Sequence, residues 1–145
     1  MQIETFNEHS IYKIADVNPI LEALESYIPI GYTEISIAFV TEQTICDLHE
    51  RFLQNPDPTD VITFPASDED VEKVGEICIS VDEALKYCNE NNSLEEELTL
   101  YLVHGWLHLA HYDDIQEEDR SLMRQKEKEA LAFLKTQKIS RLILL

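Results

Sequence analysis

The chain has 145 residues, an apolar fraction of 44% and a formal net charge of −18, from 11 basic and 29 acidic residues. This length predicts one domain, residues 1–145, with a core of its own. The charge argues against a module that binds nucleic acid through a broad basic surface, and no apolar run reaches the roughly 18 residues of a membrane span, so no membrane partner is expected.

The first residues and the cysteines favour a cytoplasmic protein. The N-terminus lacks the basic start and apolar stretch of a signal peptide. Cys46, Cys78 and Cys88 are odd in number and form no Cys-x-x-Cys pair, which is typical of reduced thiols. We therefore expect a cytoplasmic location and metal ligands other than cysteine.

Hydrophobic periodicity predicts that strands and helices alternate in the first half of the chain. Apolar residues show helical spacing through 10–27, and Pro19 at the first helical position places the start of the helix proper near Asn18. Thr41 is the expected N-cap of the second helix. The predicted elements are a strand at 2–6, a helix at 18–27, a strand at 34–40 and a helix at 41–53.

The second half begins with two consecutive strands, 60–65 and 74–79, which predict a hairpin. Three helices come next, each opened by a predicted capping box: Ser80 with Glu83, Ser93 with Glu96, and Asp114 with Glu117. The first should reach about Asn91 and the last about Lys135, and the apolar tail 139–145 should form a short strand or dock on the core. This order predicts an α/β or α+β sandwich, with a small mixed sheet of three to four strands and about five helices.

The central helix carries the strongest functional signal. Residues 104–114 read His-Gly-Trp-Leu-His-Leu-Ala-His-Tyr-Asp-Asp, and they hold three of the five histidines. His104 and His108 are four apart, so they share one helix face and can bind one metal ion. The helix is apolar on all sides from Leu98 to Ala110, which predicts burial. Buried histidines need a metal or hydrogen-bond partners, and this spacing favours the metal.

A catalytic zinc site requires a third protein ligand and an open position. Asp114 is the first choice, because the chain has room to turn back after the helix. It is also the expected N-cap of the last helix, so one oxygen would cap while the other coordinates. His111 is the alternative third ligand, although at a helix C-cap it would merely complement the helix dipole; Asp113 is weaker. We expect one Zn²⁺ per chain, with nickel, manganese or iron also compatible with a carboxylate ligand.

Residues 104–114 resemble the signature of the YbeY family of metal-dependent endoribonucleases, His-Gly-x-Leu-His-Leu-x-Gly-Tyr-Asp-His. The matching residues are His104, Gly105, Leu107, His108, Leu109, Tyr112 and Asp113. Residues 59–65 and 75–80 resemble two strands of the same family, Thr-Asp-Val-Leu-Ser-Phe-Pro and Gly-Asp-Ile-x-Ile-Ser, in the family's order and spacing. The resemblance implies a single-strand endoribonuclease that matures the 3′ end of 16S ribosomal RNA. It also implies the small ribosomal subunit as a partner, together with protein partners in ribosome assembly.

Three positions depart from the family pattern. Asp114 stands where the family has its third metal histidine, and this extra negative charge would make a metal-activated water less acidic. His111 replaces a glycine suited to ending the helix in a left-handed turn. Leu53 stands where an arginine implicated in catalysis is expected, which removes a bidentate partner for phosphate. Arg51 is two residues off register and points elsewhere on a helix.

Two other functions remain open. The −18 charge and Leu53 favour a metal-dependent hydrolase with a non-RNA substrate. A ribosome-assembly factor that acts through protein partners and has a weak site is the other alternative. Gly105 stands where His-Glu-x-x-His peptidases carry their glutamate base, which argues against peptidase chemistry. No general base is identified by the sequence, and Thr59, Asp60 and Thr63 are candidates to line the cleft.

Overall fold

A computed structural model describes residues 1–14, 16–137 and 139, together with the backbone of 143–144. In chain order the elements are β1 (Gln2–Asn7), β2 (Lys13–Ile14), α1 (Asn18–Tyr27), β3 (Glu34–Val40), α2 (Glu42–Leu53), β4 (Val61–Phe64), β5 (Val74–Ser80), α3 (Val81–Tyr87), α4 (Leu94–Leu109), α5 (Glu117–Thr136) and β6 (Ile143–Leu144). None of the helices in this described part of the chain has the length and apolar character of a membrane span.

Four strands form a mixed sheet in the order β1-β3-β5-β4. The first three are parallel, and β4 runs antiparallel to β5. The predicted hairpin is therefore present, and the predicted mixed α/β fold with five helices is confirmed. A second, two-stranded sheet was not predicted. Its strands are β2, which lies within the segment of helical spacing at 10–27, and β6, which lies in the apolar tail. Residues 140–142 and 145 of the predicted tail segment lie outside the described residues.

Local capping signals place most of the helix starts. The side chains of Thr41, Ser80 and Ser93 each accept a hydrogen bond from the backbone N–H three residues later, as predicted. The helix α1 begins at Asn18, so Pro19 occupies its second position, where a missing N–H costs nothing. The helix α3 ends at Tyr87, earlier than predicted, because the chain is already extended at the next residue.

The predicted N-cap at Asp114 is wrong. The N-cap of α5 is Gln116, whose side chain makes no capping hydrogen bond, and Glu117 is the first helical residue. The chain runs two residues further than predicted before it turns into the helix. The carboxylate of Asp114 is thereby left out of helix capping, so it does not have to serve two purposes at once.

The helix α4 is buried because it packs against other elements on both sides. It contacts β4 and β5 on one side and α5 on the other. Gly105 allows the close approach to the sheet, since a Cβ there would lie 2.7 Å from Cγ2 of Ile77. Trp106 is fully buried, and its indole N–H donates to the carbonyl oxygen of Ile28 at 2.9 Å. These contacts explain why the helix sequence is apolar all round, and they hold the histidine pair rigidly.

Candidate metal centre

The two histidines of α4 converge at their Nε2 atoms. His104 and His108 occupy the last two turns of the helix, one above the other, and their Nε2 atoms are 3.0 Å apart. Their side chains are 19% and 25% exposed, so both rings are mostly buried while the site stays open to solvent. The spacing that the sequence singled out therefore produces a pair of ring nitrogens directed at one point.

The turn after α4 sets the course of the chain beyond the histidine pair. The helix ends in a Schellman motif: the N–H of His111 donates to the carbonyl of His108, and the N–H of Tyr112 donates to the carbonyl of Leu107, both at 3.0 Å. His111 adopts the left-handed conformation with φ of 71° and is exposed. It thus occupies the turn position for which the motif resemblance implies a glycine, and its side chain is not part of the His104, His108 and Asp114 cluster.

This turn brings Asp114 back to the histidine pair. Its Oδ2 lies 3.6 Å from Nε2 of His104 and 3.9 Å from Nε2 of His108. The three potential ligand atoms lie within 4.8 Å of one another. Three ligand atoms about 2.0–2.1 Å from a tetrahedral zinc would be about 3.3 Å apart. The observed separations bracket that value, and two imidazoles with one carboxylate form a competent donor set for a transition metal.

Glu127 of α5 is a member of the site that sequence reasoning missed. Its side chain is only 6% exposed, and its Oε1 lies 3.4 Å from Nδ1 of His104. Metal-binding histidines commonly donate their second ring N–H to such a carboxylate, which fixes the tautomer and the ring orientation. The sequence does contain an indication of this role. Glu127 shares a helix face with the buried Met123 and Ala130, and an acidic side chain on a buried face needs a polar partner.

The pKa values of the two histidines shift in opposite directions. Burial opposes protonation of His104, but the hydrogen bond and the charge of Glu127, with the charges of Asp60 and Asp114, raise its pKa above the ordinary value. Burial and the charge of His104 lower the pKa of His108. In the metal-free protein a proton is therefore held preferentially on His104, between Glu127 and His108. Nε2 of His104 would have to lose that proton before it could hold a metal ion.

The predicted cleft residues serve mainly local structure. Oδ1 of Asp60 accepts hydrogen bonds from the N–H of Val61 at 2.8 Å and the hydroxyl of Thr59 at 3.3 Å, which stabilises the start of β4. Thr63 is a ladder residue of β4, opposite Ile77. Asp60 still reaches the site through its charge, which raises the pKa of His104.

The end of α2 offers no guanidinium at the position where the motif resemblance implies one. Leu53 is the last residue of this helix, and its side chain is 58% exposed. Arg51 is also exposed and lies in the last turn of the helix. The departure seen in the sequence is thus present in the fold.

Comparison with known proteins gives consistent results. Residues 3–135 match a family profile described as Endoribonuclease YbeY. The Endoribonuclease YbeY of Protochlamydia amoebophila is 39% identical over 106 residues, which cover 70% of this chain and 71% of the relative. That of Chlamydia pneumoniae is 32% identical over 146 aligned positions, which cover 93% and 92% of the two chains. A solution structure of a Thermotoga maritima protein matches with a TM-score of 0.60 at 31% identity, covering 92% of this chain and 89% of the other.

Proposed function

Because the chain belongs to the Endoribonuclease YbeY family, we propose that it is a metal-dependent hydrolase that cleaves phosphodiester bonds in RNA. The observation that carries this proposal is the convergence of His104, His108 and Asp114. Their ligand atoms fit one divalent transition metal, and we propose one Zn²⁺ per chain. The three residues would serve as both the metal ligands and the catalytic centre.

The two histidines, Asp114 and Glu127 have different roles in this mechanism. A bound divalent metal supplies Lewis acidity toward a phosphoryl oxygen and lowers the pKa of a water molecule. His104 and His108 present Nε2, and Asp114 presents Oδ2. Glu127 accepts the Nδ1–H of His104, which keeps Nε2 of that ring available as a ligand. The carboxylate of Asp114 adds a negative charge that a histidine would not, so it moderates the Lewis acidity of the site.

We further propose that the substrate is single-stranded ribosomal RNA and that the physiological cleavage matures the 3′ end of 16S RNA. The partner would then be the small ribosomal subunit, together with assembly proteins, and the location would be the cytoplasm. The whole chain, 1–145, would act as one catalytic domain. These finer assignments rest on the family resemblance of three motifs at 59–65, 75–80 and 104–114.

The test combines metal analysis with RNA cleavage. Purified protein should contain about one transition metal per chain, and it should cleave a labelled single-stranded RNA. Chelation should stop cleavage, and added Zn²⁺ should restore it. His104→Ala should lose both metal and activity. His49→Ala is the matched control, because this histidine lies on another helix and its ring contacts the Asp57 carbonyl. Absence of bound metal, or cleavage that survives chelation, would refute the proposal.

A metal-dependent hydrolase with a non-RNA substrate is the second candidate. It is favoured by the −18 charge and by Leu53 at the position of an expected arginine. It predicts metal-dependent turnover of a small phosphate ester or peptide with no cleavage of RNA. An assembly factor with a weak site instead predicts that His104→Ala and His108→Ala variants still support growth in a complementation assay.

A further inference from the structure

One face of α5 carries a row of positive side chains. Arg120, Arg124 and Lys128 are spaced four residues apart, so they lie on one side of the helix, each about 6 Å further along its axis. All three are exposed, and the side chain of Arg124 is 73% exposed. They line a shallow depression together with Ser121, Gln125 and Glu117. We call these three cations the cationic stripe.

The cationic stripe borders the candidate metal centre. Nη1 of Arg120 donates to the carbonyl oxygen of Ile115 at 2.9 Å and lies 3.5 Å from that of Asp114. Nη1 of Arg124 lies 3.9 Å from Oε1 of Glu127, the carboxylate that contacts His104. Two of the three cations therefore touch residues that build or support the centre, and an RNA strand bound at the stripe would pass beside the metal.

The acids of α5 leave the stripe largely unopposed. Glu127 is buried and directed at His104, and Glu129 pairs with Lys126 at 3.3 Å on another side of the helix. Asp119 shares a hydrogen bond with Asp113, which raises its pKa. Among the described acids of this helix, Glu117 alone lines the depression. Among the described residues of α5, the acids that meet the stripe are thus limited to Glu117 in the depression and Glu127, which lies 3.9 Å from Arg124.

We propose that the cationic stripe binds the phosphate backbone of the RNA substrate and supplies the phosphate contacts that Leu53 does not. This inference rests on the proposed endoribonuclease function. Guanidinium and ammonium groups are the usual partners of phosphate, and the hydroxyl of Ser121 adds an uncharged donor. The amide of Gln125, which also lines the depression, donates to Oε1 of Glu129 at 3.2 Å. Contacts of this kind position a strand without reading its sequence. They also explain how a chain of net charge −18 holds a polyanion beside an acidic metal centre.

The decisive variant is Lys128→Gln. The ion pairs among the described residues do not include Lys128, so its loss leaves the supports of the metal centre intact. Binding of a labelled, unstructured single-stranded RNA to the metal-loaded protein is measured by fluorescence anisotropy over a series of KCl concentrations, with intact RNA verified on denaturing gels. Each lost phosphate contact should reduce the slope of log K against log[salt] by about 0.7, which weakens binding about fivefold near 0.1 M salt.

Lys126→Gln is the matched control. It removes the same charge from the same helix, but from the side that faces Glu129, so both affinity and salt slope should stay unchanged. Arg124→Gln combined with Lys128→Gln should lose about twice the slope of the single variant. Metal content is measured for the double variant, because Arg124 contacts Glu127. In cleavage assays Lys128→Gln should raise KM about fivefold and leave kcat unchanged.

These measurements distinguish failure of the cationic stripe from failure of the proposed endoribonuclease function. If the protein binds and cleaves RNA but Lys128→Gln behaves like Lys126→Gln, the stripe is refuted and the endoribonuclease stands. If the metal-loaded protein binds no RNA, both proposals fall, and metal-dependent turnover of a small phosphate ester or peptide then identifies the second candidate hydrolase.

Discussion

Replacing Glu127 by glutamine tests whether its carboxylate orients His104 for metal binding. The substitution keeps the size and a carbonyl acceptor but removes the charge that lies 3.4 Å from Nδ1 of His104. Loss of an outer carboxylate of this kind costs about 10–100-fold in metal affinity, or about 1.4–2.8 kcal/mol. Competition with a chromophoric chelator measures the dissociation constant for Zn²⁺ directly, without reference to RNA cleavage.

The effect should depend on pH in a defined direction. Glu127 raises the pKa of His104, so in the wild-type protein a proton competes with the metal up to a higher pH. The variant lowers that pKa and removes part of the competition. The loss of affinity should therefore be larger near about pH 8 than near about pH 6, because protonation of His104 competes less with the metal as the pH rises.

The same linkage affects the stability of the metal-free protein. The pKa of His104 is raised in the folded state, so binding of a proton to this ring stabilises the fold. This stabilisation is fully present below the pKa of the unfolded state, and it is lost as the pH rises through the pKa of the folded state. The advantage of wild type over Glu127→Gln in unfolding free energy should shrink between about pH 5.5 and about pH 8. Urea denaturation of both proteins at the two pH values measures it.

Glu129→Gln is the control for this experiment, since it removes a surface charge two residues away that pairs with Lys126. Nitrogen-15 NMR of the histidines adds a second readout, because Glu127→Gln should weaken the preference of His104 for the Nδ1–H tautomer. An unchanged affinity for Zn²⁺ at about pH 8 would refute the reasoning.

The third ligand, the turn and the helix contact give three further predictions. Asp114→His should tighten Zn²⁺ binding and shift the pH–rate profile of cleavage toward lower pH, because a neutral ligand leaves the metal more electrophilic; an unshifted profile would contradict this. His111→Gly should retain Zn²⁺ and raise the unfolding free energy by up to about 1 kcal/mol, because glycine accepts the observed φ of 71° without strain; loss of metal would make His111 a ligand. Gly105→Ala should lower the urea midpoint by an equivalent of about 1–3 kcal/mol, since its Cβ would meet Ile77 at 2.7 Å; an unchanged midpoint would show that the helix can move away from the sheet.

Features that depend on neighbouring residues can be predicted from the sequence. The caps at Thr41, Ser80 and Ser93 need only a side chain and an N–H three residues away. The pairing of His104 with His108 results from the helical repeat alone. The motif resemblance predicted the family, and the order of strands and helices predicted the mixed sheet; both are confirmed.

Features that depend on distant contacts escape such prediction. Asp114 has the local form of an N-cap, but the turn at His111 directs its carboxylate to the histidines. Glu127 reaches His104 only because α5 packs on α4, across 23 residues of sequence. The charges of α5 look mixed until packing shows which face is buried and which is exposed.

The sequence by itself thus determined the helix that carries the histidine pair, the class of the fold and the family. The reason is that periodicity, capping and motif spacing are encoded within a few residues. Tertiary structure alone decided which carboxylates approach that pair and where the cations of α5 gather. Those arrangements depend on how one helix lies against another, and packing of this kind joins residues that no local pattern connects.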